Sequence, residues 1–222
     1  MGDWVLQLVT DPLESLLPLV DAVAAAARGG VDMVQVREKG AAAADLLTTV
    51  RSLRAAVGAG ARVMVNDRLD VAMAAAADGV HLAARSLPPD EARRLLPAAA
   101  GWLLGVSVHG VAEARAAAAA GADYLTFGHV FPSGSKPGLP SHGVAALAEV
   151  VAAVDRPVLA IGGIAPDNVG QVLATGCAGV AVIRALLGAR DPGAEARALR
   201  AAMDAAPGRP RFPLARVLAA RS

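Results

Sequence analysis

The sequence is poor in cysteine, in aromatic residues and in uninterrupted apolar runs. One cysteine, Cys177, among 222 residues leaves no internal disulfide, so we expect a buried thiol and a reducing, cytoplasmic setting. Aromatic residues make up 3 % of the chain, which argues against a base-stacking surface for nucleic acid. No apolar run reaches the roughly 18 residues of a membrane span. The start, Met1-Gly2-Asp3-Trp4, has no basic region typical of a secretory signal.

A strong charge of either sign is also missing. The formal net charge of +1 at pH 7 gives no reason to expect nucleic acid or an anionic membrane as a partner. The exception is the C-terminal stretch 207–222, which contains four arginines. We interpret this stretch as a basic tail or an extra helix rather than as an RNA-binding segment.

Short β-branched runs alternate with alanine-rich stretches throughout the chain. The runs predict eight strands, at 5–9, 33–36, 63–65, 79–82, 103–106, 124–127, 158–161 and 179–183. Helical spacing fills the segments between them, so the class is α/β with a parallel sheet. Eight units in this length favour a (βα)8 TIM barrel, a single domain spanning 1–206. An open doubly wound sheet is the alternative, although no glycine-rich dinucleotide fingerprint follows the first strand.

Candidate site residues cluster at the predicted strand ends. In a (βα)8 barrel the active groups lie at the C-terminal ends of the strands. The residues found there, or in the loops that follow, are Arg37, Lys39, Asn66, Ser107, His109, His129, Ser133, Ser135, Lys136, Gly162, Gly163, Val182 and Ile183. Their position predicts one site that uses all of these loops.

The loop after the sixth strand is the strongest candidate for chemistry. His129 follows Gly128 directly, and a loop rich in glycine, proline and serine carries Lys136. Imidazole titrates near neutrality, so His129 could exchange a proton while Lys136 binds an anionic substrate.

Two glycines after the seventh strand predict a phosphate site. Gly162 and Gly163 let the backbone approach a ligand closely, and the helix start at Val182 and Ile183 completes the usual phosphate position of such barrels. The alternative is a plain turn in which Asp167 caps the next helix.

Other strand-end groups have two interpretations each. Arg37 and Lys39 suit a carboxylate or phosphate, or form a surface ion pair with Glu38. Asp67 caps a helix or helps to hold Mg²⁺, which usually needs more oxygen ligands. His81 reads as a hydrogen-bonded core histidine rather than a ligand.

Six motifs together resemble the thiamine phosphate synthase superfamily over residues 7–187. They are Gln-Val-Arg-Glu-Lys, Val-Asn-Asp-Arg, Gly-Val-His-Leu, Gly-Val-Ser-Val-His, Ala-Asp-Tyr and Ala-Ile-Gly-Gly-Ile. The resemblance implies a (βα)8 barrel. It leaves two branches open, synthases that use Mg²⁺ and thiazole tautomerases of the TenI-like kind.

Three departures from the synthase pattern favour the tautomerase branch. The synthases carry Gly-Gln-Glu-Asp after the fourth strand, with a metal-binding aspartate where this chain has Ser86. They carry Gly-Pro where this chain has Gly128-His129, and Thr-x-Thr-Lys where it has Ser133 to Lys136. Gly-His-Val-Phe and Ser-Val-His resemble the tautomerases, in which the histidine after the sixth strand is the proposed acid and base.

The resemblance therefore implies an isomerase that aromatises a 2-carboxy-4-methylthiazole ethyl phosphate. His129 would move the proton, the glycine turns would hold the phosphate, and Lys136 or Arg37 would hold the carboxylate. No metal or cofactor is expected, and the partner would be a small phosphorylated thiazole. Two alternatives stay open: a synthase that couples a pyrimidine diphosphate to a thiazole phosphate with Mg²⁺, and a non-catalytic TenI-like regulatory or ligand-binding protein. A homo-oligomer is possible in each case.

Overall fold

The computed structural model describes residues 3–96, 101–134 and 138–220, which alternate between strand and helix. The strands are β1 (Val5–Val9), β2 (Met33–Val36), β3 (Arg62–Asn66), β4 (Gly79–Leu82), β5 (Leu103–Val108), β6 (Tyr124–Gly128), β7 (Val158–Ile161) and β8 (Gly179–Val182). The helices are α1 (Leu19–Arg28), α2 (Ala43–Val57), α3 (Leu69–Ala74), α4 (Pro89–Leu95), α5 (Val111–Ala119), α6 (Gly143–Ala153), α7 (Val169–Leu173), α8 (Arg184–Leu187), α9 (Pro192–Asp204) and α10 (Leu214–Ala220). Short 3-10 turns at Pro12–Glu14 and Gly58–Gly60 complete the elements.

The eight strands close into one parallel barrel. Each strand pairs with the next, and β1 closes the ring with β8 through the register Leu6↔Val180 and Leu8↔Val182. The predicted single-domain (βα)8 barrel is confirmed, and the open doubly wound sheet is excluded. Nearly every strand residue is buried because helices cover the outside and side chains fill the inside.

Two separate cores follow from the alternation of side chains along each strand. Outward-facing residues such as Leu6 and Leu8 pack with the helices in the larger core. A smaller cluster fills the N-terminal part of the barrel and includes Val5, Met33 and Leu103. Polar side chains replace apolar ones further along the same strands, where Gln7, Gln35, His81 and Thr126 are all buried.

Helix α10 packs across the N-terminal end of the barrel. Leu214 and Leu218 are buried in the inner cluster, and Arg62 Nη2 donates to the Leu218 carbonyl at 3.1 Å. The basic stretch 207–222 therefore contains a helix that covers an open barrel end. The boundary at residue 206 stays a prediction.

Three aspartates bind the strands together at this same end. Each lies just before an even-numbered strand and accepts the backbone N–H of the preceding strand at 2.7–2.8 Å. Each also forms an ion pair with an arginine; the pairs are Asp32–Arg200, Asp78–Arg62 and Asp123–Arg93. Among the described residues, no helix is long and apolar enough to cross a bilayer.

Candidate active site

The predicted site residues converge at the C-terminal mouth of the barrel. Asn66 ends β3, Ser107 lies in β5, and Gly162 and Gly163 follow β7. The others that the structure describes there, or in the adjoining loops, are Arg37, Lys39, His109, His129, Ser133, Val182 and Ile183. Ser135 and Lys136 lie outside the described residues.

A chain of amide groups runs across the interior just below the mouth. Gln7 Nε2 donates to Gln35 Oε1 at 3.5 Å, and Gln35 Nε2 donates to Asn66 Oδ1 at 2.8 Å. Asn66 Nδ2 in turn donates to Asp67 Oδ2 at 2.6 Å. Three neutral side chains thus hold the Asp67 carboxylate at the rim.

A second polar group surrounds His81, which is buried as predicted. Its Nδ1 lies 3.1 Å from the Tyr124 hydroxyl and its Nε2 lies 2.9 Å from Ser107 Oγ. Burial lowers the pKa of His81 to about 4, so the ring is neutral at physiological pH. Burial also raises the pKa of Tyr124 above its ordinary value, so Tyr124 keeps its proton. Only Ser107 of these three reaches the solvent.

Asp67 and Ser86 form the acidic part of the mouth. Ser86 Oγ donates to Asp67 Oδ1, and the Ala83 N–H donates to Ser86 Oγ at 2.7 Å. Within residues 3–96, 101–134 and 138–220, no three histidine, cysteine, aspartate or glutamate side chains are grouped to hold a metal. Mg²⁺ is often held by one or two carboxylates together with substrate phosphates and waters. One carboxylate and one hydroxyl therefore suit a Mg²⁺ ion whose other ligands are waters or phosphate oxygens.

Arg37 is held at the mouth by the loop after β1. Its Nη1 donates to Asp11 Oδ2 at 3.0 Å, and its backbone N–H donates to Thr10 Oγ1 at 2.8 Å. The predicted alternative partner, Glu38, is not the residue it pairs with. Arg37 follows β2 and Asp67 follows β3, so both residues lie at the C-terminal end of the barrel.

His129 is buried between its own loop and the loop after β7. Its Nε2 lies 3.2 Å from the Leu139 carbonyl oxygen, and its ring contacts the His142 ring edge-on at 5.7 Å between centroids. Nδ1 has no hydrogen-bond partner among the described residues. The Gly128–His129 peptide bond is cis. The ring therefore joins the two ends of the β6–α6 loop and leaves one nitrogen unused.

The glycine turn after β7 lies against His129. Gly162 has φ of +107°, and a Cβ there would lie 2.4 Å from the His129 Cβ, so only glycine fits. Asn168, rather than the predicted Asp167, secures the turn, since its side chain bonds Gly163 O at 2.9 Å and Ala165 N at 3.0 Å. The turn exposes Gly163 at the rim.

Several mouth residues were missed from the sequence. Gln7 and Tyr124 sit inside runs that read as continuous apolar strands, and only their polarity at an inward position could have singled them out. Arg184 at the start of α8 pairs with Glu14 after β1, and its guanidinium fills the space beside Gly134. Residues so far apart in the chain give no local signal.

A closed (βα)8 barrel whose mouth combines amides, a carboxylate, arginines and a glycine turn belongs to the class that handles phosphorylated small molecules. A family model described as thiamine monophosphate synthase matches residues 6–186. The chain belongs to that family.

Individual relatives agree with the family. The chain is 50 % identical over 188 residues to a thiamine-phosphate synthase of Methanoculleus marisnigri, covering 84 % of this chain and 88 % of the relative. It is 42 % identical over 212 residues to one of Moorella thermoacetica, covering 94 % and 100 %. The solved thiamine phosphate pyrophosphorylase of Pyrococcus furiosus superposes with a TM-score of 0.84 at 36 % identity, covering 93 % and 98 %.

The interpretation as a thiazole tautomerase, an isomerase, is wrong. Relatives at 42–50 % identity are called thiamine-phosphate synthases, which are transferases. The solved relative is called a thiamine phosphate pyrophosphorylase, which is another name for the same activity. Loss of an acid at Ser86 and the presence of His129 were over-weighted, because Asp67 keeps a carboxylate at the mouth and His129 bonds its own loop. The assignments of individual binding residues stay predictions.

Proposed function

We propose that this chain is a thiamine-phosphate synthase. It joins a pyrimidinylmethyl diphosphate to a thiazole phosphate and releases diphosphate. The bond from the methylene carbon to the diphosphate oxygen breaks, the electron pair leaves with diphosphate, and the thiazole ring nitrogen forms the new bond to carbon. The observation that carries the proposal is the 50 % identity, over most of both chains, to a protein of that name.

The two anionic ends of the substrates suit two sides of the mouth. The turn at Gly162 and Gly163, with the backbone at Val182 and Ile183, would hold the thiazole phosphate. The opposite side, with Arg37, would hold the diphosphate. Keeping the two anions apart limits their repulsion and directs the ring nitrogen at the methylene carbon.

Lys39 and the β6–α6 loop would supply further substrate contacts at the mouth. Lys39 is exposed in the same loop, two residues after Arg37, and would supply a second cation for the diphosphate. Ser133, His129 and His109 lie around the loops after β5 and β6, where the pyrimidine or the thiazole would pass between the two anion sites. Ser135 and Lys136 stay predicted substrate contacts.

Asp67 and Ser86 are the residues that would hold Mg²⁺. When bound, the ion would neutralise part of the charge that develops on the departing diphosphate. The protein's own contribution is to fix Asp67 through Asn66 and Ser86 before the substrate arrives. A carboxylate that is already oriented loses less entropy when the ion and diphosphate bind.

The proposal is tested by mixing the purified chain with both substrates and Mg²⁺ and separating thiamine phosphate by chromatography. We expect product that depends on both substrates and disappears when EDTA removes the ion. Conversion of neither substrate, by a protein whose folded state is verified by circular dichroism, would refute the proposal.

A further inference from the structure

Three polar side chains form a continuous hydrogen-bonded line through the barrel interior. The Tyr124 hydroxyl lies 3.1 Å from His81 Nδ1, and His81 Nε2 lies 2.9 Å from Ser107 Oγ. Tyr124 and His81 are buried, and Ser107 at the other end is partly open to the mouth. Gly105 makes room for the line, because a Cβ there would lie 2.3 Å from Tyr124 Cζ and 2.5 Å from His81 Nδ1.

The direction of each hydrogen bond follows from counting protons. A neutral imidazole has one N–H and one acceptor nitrogen. The buried Tyr124 O–H must find an acceptor, and the group within hydrogen-bond distance of it is His81 Nδ1 at 3.1 Å. Among the described residues Gln7 Oε1 has no hydrogen-bond partner and so is not that acceptor. His81 Nδ1 is the acceptor that remains.

The proton of His81 consequently lies on Nε2 and points at Ser107 Oγ. The opposite tautomer would place the His81 proton on Nδ1 and leave the buried Tyr124 O–H without an acceptor. An orphaned buried donor of that kind disfavours the opposite tautomer by about tenfold or more.

We propose that this line polarises Ser107: its oxygen accepts from His81 Nε2–H, so its own proton points into the mouth as a donor to a lone pair of the substrate. His81 and Tyr124 are positioning residues for that hydroxyl. The direction of the line stands on the geometry alone, whereas the identity of the substrate rests on the proposed function.

The direction is measured on the unliganded full-length chain by long-range proton–nitrogen NMR of ¹⁵N-labelled histidine. The chain has four histidines, and the His81 signals are those that change in Ser107→Ala. We expect the Nε2–H tautomer, with Nδ1 shifted as a hydrogen-bond acceptor. A dominant Nδ1–H tautomer would overturn the proposal.

Tyr124→Phe removes the donor to Nδ1 and keeps the ring. We expect the Nδ1 resonance to move toward that of a nitrogen without a hydrogen bond, and an unmoved resonance would count against the line. His109→Gln is the matched control, because His109 pairs with Glu113 at the rim and should leave the His81 signals unchanged.

Turnover separates this inference from the proposed function. We expect Ser107→Ala to lower kcat/KM by about tenfold or more, because the donor to the substrate lone pair is lost and that acceptor is left unpaired, and Ser107→Thr to stay within a few-fold of the parent. Equal activity of the parent, Ser107→Ala and Ser107→Thr would overturn the donor role of Ser107.

The tautomer and the activity together separate the two hypotheses. A chain that makes thiamine phosphate with His81 protonated on Nδ1 refutes the inference alone. An inactive chain with the Nε2–H tautomer refutes the function alone.

Discussion

The two ends of the barrel use polar residues in opposite ways. At the N-terminal end, Asp32, Asp78 and Asp123 each bind both an arginine and a strand N–H. Towards the C-terminal mouth, Gln7 Oε1, Thr126 Oγ1 and His129 Nδ1 are buried and have no hydrogen-bond partner within the described ranges. Saturated groups stabilise the fold, while groups with unused capacity can bind a ligand.

The two ends of the barrel also differ in how they are covered. Helix α10 covers the N-terminal end, where Leu214 and Leu218 are buried against the inner cluster. Glycines keep the mouth open instead, at Gly105 inside and at Gly162 and Gly163 on the rim. Substitutions at the first end should therefore change stability, and substitutions at the second should change activity.

The largest stability effect is expected for Asp123→Ala. The substitution leaves Arg93 and the Leu104 N–H without their shared partner, in a pair whose side chains are 18 % and 11 % exposed. Breaking such a buried pair costs about 4 kcal/mol. Urea unfolding measures this cost. Asp155→Ala is the control, because its ion pair with Arg156 is exposed and is worth about 0.5 kcal/mol or less. If Asp123→Ala lowers the free energy of unfolding no more than Asp155→Ala does, the aspartate–arginine pairs at the N-terminal end do not stabilise the fold as proposed.

Acid should lower the free energy of unfolding through His81, which lies midway between the two ends of the barrel. Burial lowers the pKa of His81 to about 4 in the folded state, against 6.5 for an ordinary histidine. Between these values the unfolded chain takes up a proton that the folded chain refuses, so stability is full above pH 6.5 and falls as pH drops toward 4. The loss is about 3 kcal/mol.

Subtracting the pH profile of His81→Gln isolates this contribution from that of the carboxylates. Urea unfolding at a series of pH values gives both profiles. If the parent and His81→Gln lose stability in parallel between pH 6.5 and 4, the neutral buried histidine is refuted.

Gly105→Ala should disturb the boundary between the two ends. The new methyl group would overlap Tyr124 and His81 and cost about 2 kcal/mol of stability. Kinetic assays should show lower kcat/KM as well, because Ser107 loses its partner. Gly110→Ala is the matched control, since nothing lies within 4 Å of a Cβ there. Equal stability and equal kcat/KM of the two variants would show that Tyr124 and His81 can move aside to accommodate the new methyl group.

The smallest effect is expected for Thr126→Val. Thr126 Oγ1 is buried without a hydrogen-bond partner in the described part of the chain, so its loss should change stability by less than about 1 kcal/mol and should favour the fold. Calorimetry gives the sign. A clear destabilisation would mean that the hydroxyl does bind a group inside the barrel.

The strands were predicted to within two residues at each end because each is a short apolar run between helical segments. The run at 158–161, for example, matches β7 (Val158–Ile161). The closure of the barrel by α10 was not predicted, since two leucines in a basic stretch do not reveal what they cover. The Asp67–Ser86 and Glu14–Arg184 contacts depend on loops that meet only after folding.

The function was assigned to the wrong branch for a related physical reason. Motif differences at Ser86 and His129 lie in loops, and a loop substitution changes chemistry only through the contacts it makes. The folded chain brings Ser86 to a carboxylate that the substitution had left in place, and such contacts are invisible in a linear motif.

The most direct test of the account compares Asp67→Asn with the parent. Asparagine tolerates the positive φ of 63° at this position and removes the charge, while the residue is exposed and contributes little to folding. Phosphorus NMR follows the diphosphate ester, the released diphosphate and thiamine phosphate in one sample with Mg²⁺. The account predicts that kcat/KM falls by about 10²-fold or more while the unfolding midpoint stays unchanged. Turnover within a few-fold of the parent would contradict the assignment of the mouth as the synthase site.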